Sequence, residues 1–326
     1  MIRKIHPFAV FWHPEQENEV LAEMHPAMAQ RYSRTIDHIV AEATGHFVIM
    51  NQFATDLDSA IEAAYGIHDR EYVRRLVEDH TNENWYDEPV EALARLALQS
   101  IGSTVAAAKE IITGSHSLVY SVAAGQHHAR FDEGAGFCAL NDIVAAAQEF
   151  RAAGLKPIII DIDIHAGDGT QAMLWESDIP TVSVHIGLTY PMDRMTANHD
   201  RGTERHTFHW PENHAYNFAL PHYASDDALA WAADGIDAII RREKPDVLIF
   251  VAGADGHQGT QEANLMNTGF GSYTYAGFDA FAGRVRGWAD ELTGGRILMT
   301  GAGGYQGLDH TPRIWANMIQ VLAGLR

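Results

Sequence analysis

The chain has 326 residues, 46% of them hydrophobic, which suits one large α/β domain or two smaller ones and excludes a disordered or fibrous chain. Its 43 acidic and 23 basic side chains give a formal charge of −20, a surface that repels nucleic acid and anionic membranes and attracts cationic small molecules or basic peptides. A single cysteine excludes an internal disulfide and a Cys-rich zinc site, no stretch reaches the apolar length of a membrane span, and the first residues lack a secretory h-region, so a cytoplasmic protein is expected.

The first predicted strand is Phe8–Trp12. Helices are predicted over Met28–Glu42, Leu57–Tyr65, Glu71–Glu78 and Pro89–Thr113, the last stopped by Gly114. Strand Ser117–Ala123, helix Leu140–Ala153 and strands Pro157–His165 and Thr181–Ile186 follow. The chain then reads as helix Asp226–Arg242, strand Val247–Gly253, helix Tyr275–Leu292, strand Arg296–Thr300 and helix Thr311–Ala323. No repeat or low-complexity linker interrupts this order, so residues 1–326 are expected to form one domain. Strand–helix alternation with runs such as Val247–Val251 predicts an α/β fold with a mostly parallel sheet flanked by helices. In such folds ligands bind beyond the carboxyl ends of the strands.

Four strand ends carry polar residues where that rule directs attention. Gln126-His127-His128-Ala-Arg130 and Gly136-Phe137-Cys138 follow the strand ending at Ala123. Asp161, Asp163, His165 and Asp168 stand at the end of the Ile-rich strand. Asp255 follows Gly253-Ala254, and Tyr305 follows Gly303-Gly304. Alternation puts Asp161, Asp163 and His165 on one side of their strand and Ile160, Ile162 and Ile164 on the other, with Gly-Asp-Gly making a turn beyond.

Two carboxylates and an imidazole at an apolar strand end are costly unless compensated, and a divalent cation is the simplest compensation. Asp163, His165 and Asp255 can supply three ligands and leave an open position, the mark of a catalytic site. The donors suit Zn²⁺, and Fe²⁺, Co²⁺ or Mn²⁺ also fit. His127 and His128 lie in a Gly-flanked loop that can aim both imidazoles at one spot, where they can serve as base and acid. Each needs a partner on its far nitrogen, and Asp161 and Asp168 are the spare carboxylates. Tyr305 can donate a hydrogen bond to a developing oxyanion. Cys138 reads as a small buried hydrophobe. His206, His209, His214 and His222 with Phe208, Trp210 and Tyr216 read as an aromatic patch that packs or lines a mouth, with no spacing for a second metal.

These segments, with Ile67–Val73, Gly136–Asp142 and Thr181–His185, run in the order found in the histone deacetylase superfamily, which the chain resembles from about Met24 onward. The superfamily includes bacterial deacetylase-like and acetylpolyamine amidohydrolases. The resemblance implies an arginase-like three-layer fold with Zn²⁺ on Asp163, His165 and Asp255. It implies His127 and His128 as the base/acid pair, oriented by Asp161 and Asp168, and Tyr305 as the residue that polarises the acyl carbonyl. Gly136, Phe137 and Gly303 would line a substrate tunnel, Asp87 would grip substrate at the rim and Arg31 would stand at the inner end. The backbone around Asp161, Asp163 and His165, with Ser183 and Val184, matches a structural K⁺ site.

Ala166 stands where many members have a second histidine, and the loops after Ser183 and Asp255 depart from the common text. The function implied is metal-dependent removal of an acetyl or other acyl group from a small cationic amine or an acyl-lysine peptide, with acetylpolyamine preferred on charge. Neither nucleic acid nor membrane is an expected partner, and a homo-oligomer is compatible with the sequence. Two alternatives stand beside this: a binuclear arginase-like ureohydrolase that uses Asp161 and Asp168 as extra ligands, and a non-catalytic sensor of acetylated amines.

Overall fold

The computed structural model describes every residue except 1–4, 18–27, 29, 81–90, 188–204, 260–270 and 307, together with the side chains of 54 and 55. Among the described residues nine strands join one sheet: β1 (Phe8–Phe11), β2 (Phe47–Met50), β3 (Leu118–Ser121), β4 (Pro157–Asp161), β5 (Thr181–Ile186), β6 (His206–Trp210), β7 (Ala215–Leu220), β8 (Val247–Val251) and β9 (Ile297–Thr300). The order is β2-β1-β3-β9-β8-β4-β5-β7-β6, and every pairing is parallel except β6 with β7. Among the described residues the α-helices are α1 (Arg31–Glu42), α2 (Leu57–Tyr65), α3 (Arg70–Glu78), α4 (Glu91–Ile112), α5 (Asp142–Ala152), α6 (Asp168–Met173), α7 (Asp226–Glu243), α8 (Tyr275–Leu292) and α9 (His310–Leu322).

The central strands are apolar on both faces because helices cover both. Leu248 and Phe250 of β8 join the core beneath α1, α7, α8 and α9, while Val247, Ile249 and Val251 join the core beneath α4 and α5. Side chains that alternate between two buried faces leave no polar position inside such a strand. Polar chemistry is therefore displaced to the strand ends. From β3 the chain crosses over two strand positions to β4, and β8 and β9 fill the gap later. The carboxyl ends of β3, β9, β8 and β4 thus lie side by side.

The structure shortens several predicted elements. The strand expected over Pro157–His165 ends at Asp161, because Asp161 Oδ1 accepts from Asp163 N (2.9 Å) and Asp163 Oδ1 from His165 N (3.0 Å). Carboxylates that bind the backbone in this way replace the ladder. The expected Gly-Asp-Gly turn opens α6. Helix Met28–Glu42 begins at Arg31, after Gln30 in the left-handed region (φ 59°). Helix Leu140–Ala153 begins at Asp142, because Asn141 caps it through Val144 N (3.1 Å). Strands β2, β6 and β7 were not expected. β6 carries two histidines among its five half-buried or exposed residues, which hides the strand signal, and the His–aromatic patch is in large part this β6–β7 pair. There Phe208 and Trp210 pack edge to face (5.6 Å), and Trp210 packs likewise on Trp175 (5.5 Å).

Candidate active site

Asp163, His165 and Asp255 come together in a fully buried group whose donor atoms lie within 4.8 Å of one another. His165 Nδ1 is 3.0 Å from Asp163 Oδ1 and 2.9 Å from Asp255 Oδ2. Backbone amides hold both carboxylates: Gly303 N donates to Asp163 Oδ2 (2.7 Å) and Ile164 N to Asp255 Oδ1 (3.0 Å). No donor is aligned on the buried Asp255 Oδ2. Two carboxylates that each approach His165 Nδ1 to about 3 Å, one of them through an oxygen with no aligned donor, make a donor set that fits a divalent cation. In the protein alone, burial opposes charge on His165, but Asp255 and Asp163 outweigh it and hold a proton there up to about 10. A bound cation takes the place of that proton. Burial and the neighbouring Asp163 charge push Asp255 up to about 6.

His127 and His128 stand beside this group with ring centroids 4.0 Å apart. Gly125 makes their turn possible: its φ is +95°, and a Cβ there would meet Gly301 O at 2.4 Å. Buried Asp142 anchors the turn by accepting from Gly125 N (3.0 Å) and Gln126 N (2.8 Å). His127 Nδ1 donates to Asp161 Oδ2 (2.7 Å), and its Nε2 is 3.8 Å from Asp163 Oδ1. His128 Nδ1 donates to Asp168 Oδ1 (2.6 Å). Both pairs match the assignments expected from the sequence. Burial disfavours charge on both rings, yet Asp161 and Asp163 raise His127 to about 9. Burial and repulsion from His127 lower His128 to about 4. Two imidazoles this close do not both take a proton readily.

Tyr305 is buried, and burial followed by the Asp255 and Asp163 charges drives its phenol well above the usual range, so it remains a hydrogen-bond donor. Its ring lies 6.0 Å from that of Phe137. A cavity of about 50 Å³ is lined by Tyr305, Phe137, Gly136, Gly303, His127 and Arg31 among others, room for a few waters or a short acyl group. Gly303 admits no side chain, since a Cβ would come within 2.4 Å of Asp255 Oδ2 and 2.5 Å of Asp163 Oδ2. Arg31 reaches the cavity from α1, donating to Gly304 O (3.1 Å) and to Tyr32 Oη (2.7 Å). Cys138 also lines the cavity, and burial pushes its thiol pKa far up. Asp87 lies outside the described residues, as does most of the altered loop after Ser183 and that after Asp255.

The Histone deacetylase domain profile matches residues 25–322. The chain belongs to the histone deacetylase family. It is 31% identical over 182 residues to an uncharacterised protein of Picosynechococcus, a match covering 54% of each chain. It is 28% identical over 221 residues to the acetoin utilization protein AcuC of Staphylococcus aureus, covering 67% of this chain and 54% of that one. It is 25% identical over 326 residues to a probable deacetylase of Archaeoglobus fulgidus, covering 97% of this chain and 86% of that one. The chain thus spans about half the length of the first two relatives.

Two contributors escaped the sequence reading. Arg130 Nη2 donates to Asp168 Oδ2 (2.5 Å), the oxygen that His128 leaves open. Buried His68 donates through Nδ1 to Arg130 O (2.8 Å) and accepts at Nε2 from Asn141 N (2.9 Å), so it ties the two ends of the loop that contains Gly136 and Phe137. Both residues stand in the family-like segments, but nothing in their spacing gives them a partner.

Proposed function

We propose that the protein is a zinc-dependent amidohydrolase that removes an acetyl group from an N-acylated amine, acetylpolyamine before acetyl-lysine peptide. The observation that carries this is one buried centre in which the Asp163–His165–Asp255 donors adjoin two His–Asp pairs, with His127 and the Tyr305 phenol lining one cavity beside it. Fe²⁺, Co²⁺ or Mn²⁺ would suit the same donors. When bound there, the metal supplies Lewis acidity toward the acyl carbonyl and lowers the pKa of water.

The protein's own residues do the rest. His128, buried and hydrogen-bonded through Nδ1 to Asp168, accepts the proton of the attacking water and returns it to the departing amine. His127, hydrogen-bonded to Asp161 and adjoining Asp163, is the other member of the base/acid pair. Tyr305 donates its hydroxyl hydrogen to the developing oxyanion. Phe137, Gly136 and Gly303 confine the acyl arm. A structural K⁺ held by the backbone near Asp161, Asp163 and His165, with Ser183 and Val184, belongs to the same proposal. The binuclear alternative is disfavoured because Asp161 and Asp168 are already hydrogen-bonded to the two histidines.

The test is turnover of acetylputrescine, acetylspermidine, acetylcadaverine and acyl-lysine peptides by zinc-loaded protein, with Tyr305→Phe alongside. Loss of about 10²-fold or more in kcat, with one metal per chain retained, is expected of the variant. Two catalytic divalent metals per chain, or tight binding of an acetylated amine without turnover, would overturn the proposal.

A further inference from the structure

The two His–Asp pairs differ at the oxygen that the imidazole does not use. Asp161 gives its second oxygen to a backbone amide, Asp163 N at 2.9 Å. Asp168 gives its second oxygen to a cation, the Arg130 guanidinium at 2.5 Å. The Asp168 side chain is 3% exposed and that of Arg130 29% exposed, so the pair runs from the buried centre toward solvent. A charge-assisted bond in this setting is short and directional.

Arg130 is itself held in place. Its carbonyl accepts from His68 Nδ1 (2.8 Å), and its amide donates to Glu133 O (2.9 Å). The next carbonyl, Phe131 O, accepts from Asp69 N (2.8 Å) at the start of α3. The guanidinium therefore springs from a fixed backbone and meets a carboxylate with both oxygens engaged, His128 Nδ1 on one and Arg130 Nη2 on the other. A carboxylate gripped at both oxygens cannot rotate about its own axis. That rotation would swing Oδ1 away from Nδ1 and turn the His128 ring, which lies 6.0 Å, centroid to centroid, from that of His165.

We propose that Arg130 is a positioning residue for His128, acting through Asp168 by fixing the rotation of its carboxylate. The inference rests on the deacetylase reading above, in which His128 moves the proton. It touches only one of the two pairs: the partner of Asp161 is main chain and cannot be removed by substitution, so a change at Arg130 loosens His128 and leaves His127 in place.

The experiment compares wild-type zinc enzyme with Arg130→Met and Arg130→Lys on the best acetylated amine of the panel, and follows the downfield Nδ1 proton of His128 by NMR, assigned by its loss in His128→Ala. Arg130→Met is expected to lose about 10- to 100-fold in kcat, the usual effect of removing a partner that orients a site residue, with KM within about threefold and one zinc per chain. Its His128 proton should broaden or shift upfield. Arg130→Lys, and guanidinium ion added to Arg130→Met, should recover part of the lost kcat. An unchanged kcat, an effect confined to KM, or a loss with an unmoved His128 proton and no rescue would overturn the proposal. Absence of turnover in the wild type would instead overturn the deacetylase reading, and the His128 resonance in Arg130→Met would still decide the role of Arg130.

Discussion

Single residues in this centre are set by what occupies both ends of each polar group. His68 shows this outside the reacting group: its Nδ1 donates to main-chain carbonyls and its Nε2 accepts from Asn141 N, so only the neutral ring satisfies both. Burial outweighs the two carbonyls and lowers its pKa from 6.5 to about 4. A histidine whose folded pKa lies below its unfolded value contributes stability that is fully present above the unfolded pKa. That stability is lost as pH falls from 6.5 toward about 4, because in that window the unfolded chain binds a proton that the folded one refuses. A shift of this size corresponds to about 3 kcal/mol. Urea unfolding at about pH 7.5 and about pH 4.5 should therefore show a smaller acid loss for His68→Gln than for the wild type, by 1–3 kcal/mol on the order-of-magnitude scale of that shift. Equal acid losses would show that His68 is not a neutral clasp.

The elements matter chiefly through where they stop. β4 stops at Asp161, β8 at Val251 and β9 at Thr300, and the loops beyond interlock: Gly303 N on Asp163, Ile164 N on Asp255, Ala254 N on Gly303 O (2.7 Å). Replacing Gly303 by Ala would drive a methyl group into both ligand carboxylates, with contacts of 2.4 and 2.5 Å to Asp255 and Asp163. Both carboxylates are buried and each takes a backbone amide, Gly303 N on Asp163 and Ile164 N on Asp255, so the methyl group must displace the carboxylates or part the loops. If zinc binds as proposed, Gly303→Ala should weaken its affinity by about 10- to 100-fold, read by competition with a chromophoric chelator, while the far-ultraviolet dichroism stays native. Wild-type affinity would mean that the loops yield more easily than the geometry suggests.

The same stopping points explain what the sequence disclosed. Apolar runs such as Ile158–Ile160 and Val247–Val251 announce buried strands, and the polar residues just past them announce the centre. The grouping of Asp163, His165 and Asp255 was legible because buried charge demands compensation, whereas the pairing of each histidine with its own aspartate came from the family resemblance, the residues alone leaving two carboxylates for two rings. Arg130 and His68 were not legible. An arginine two residues beyond a histidine resembles a solvated loop cation, and the distant carboxylate it meets is set by tertiary structure. β6 was missed because an edge strand with two histidines among five residues carries too weak an alternation to read as strand.

At the scale of the whole molecule, the excess of acidic side chains acts on association rather than on the fold. Most of the twenty surplus negative charges have no role in the centre, yet their summed field reaches an approaching amine before any contact forms. Salt shortens that reach to about 8 Å at physiological ionic strength. If the substrate is a cationic acetylpolyamine, raising ionic strength from about 20 mM to about 500 mM should lower kcat/KM on the order of tenfold, mainly through KM. A neutral acetylated alkylamine of equal length should change by less than about twofold, since it gains nothing from the field. The difference between the two substrates is the readout, because salt effects on zinc or on folding act on both alike. Equal salt dependence would mean that the charge serves solubility alone, and acetyl-lysine peptides and acetylpolyamines would then compete on the shape of the mouth.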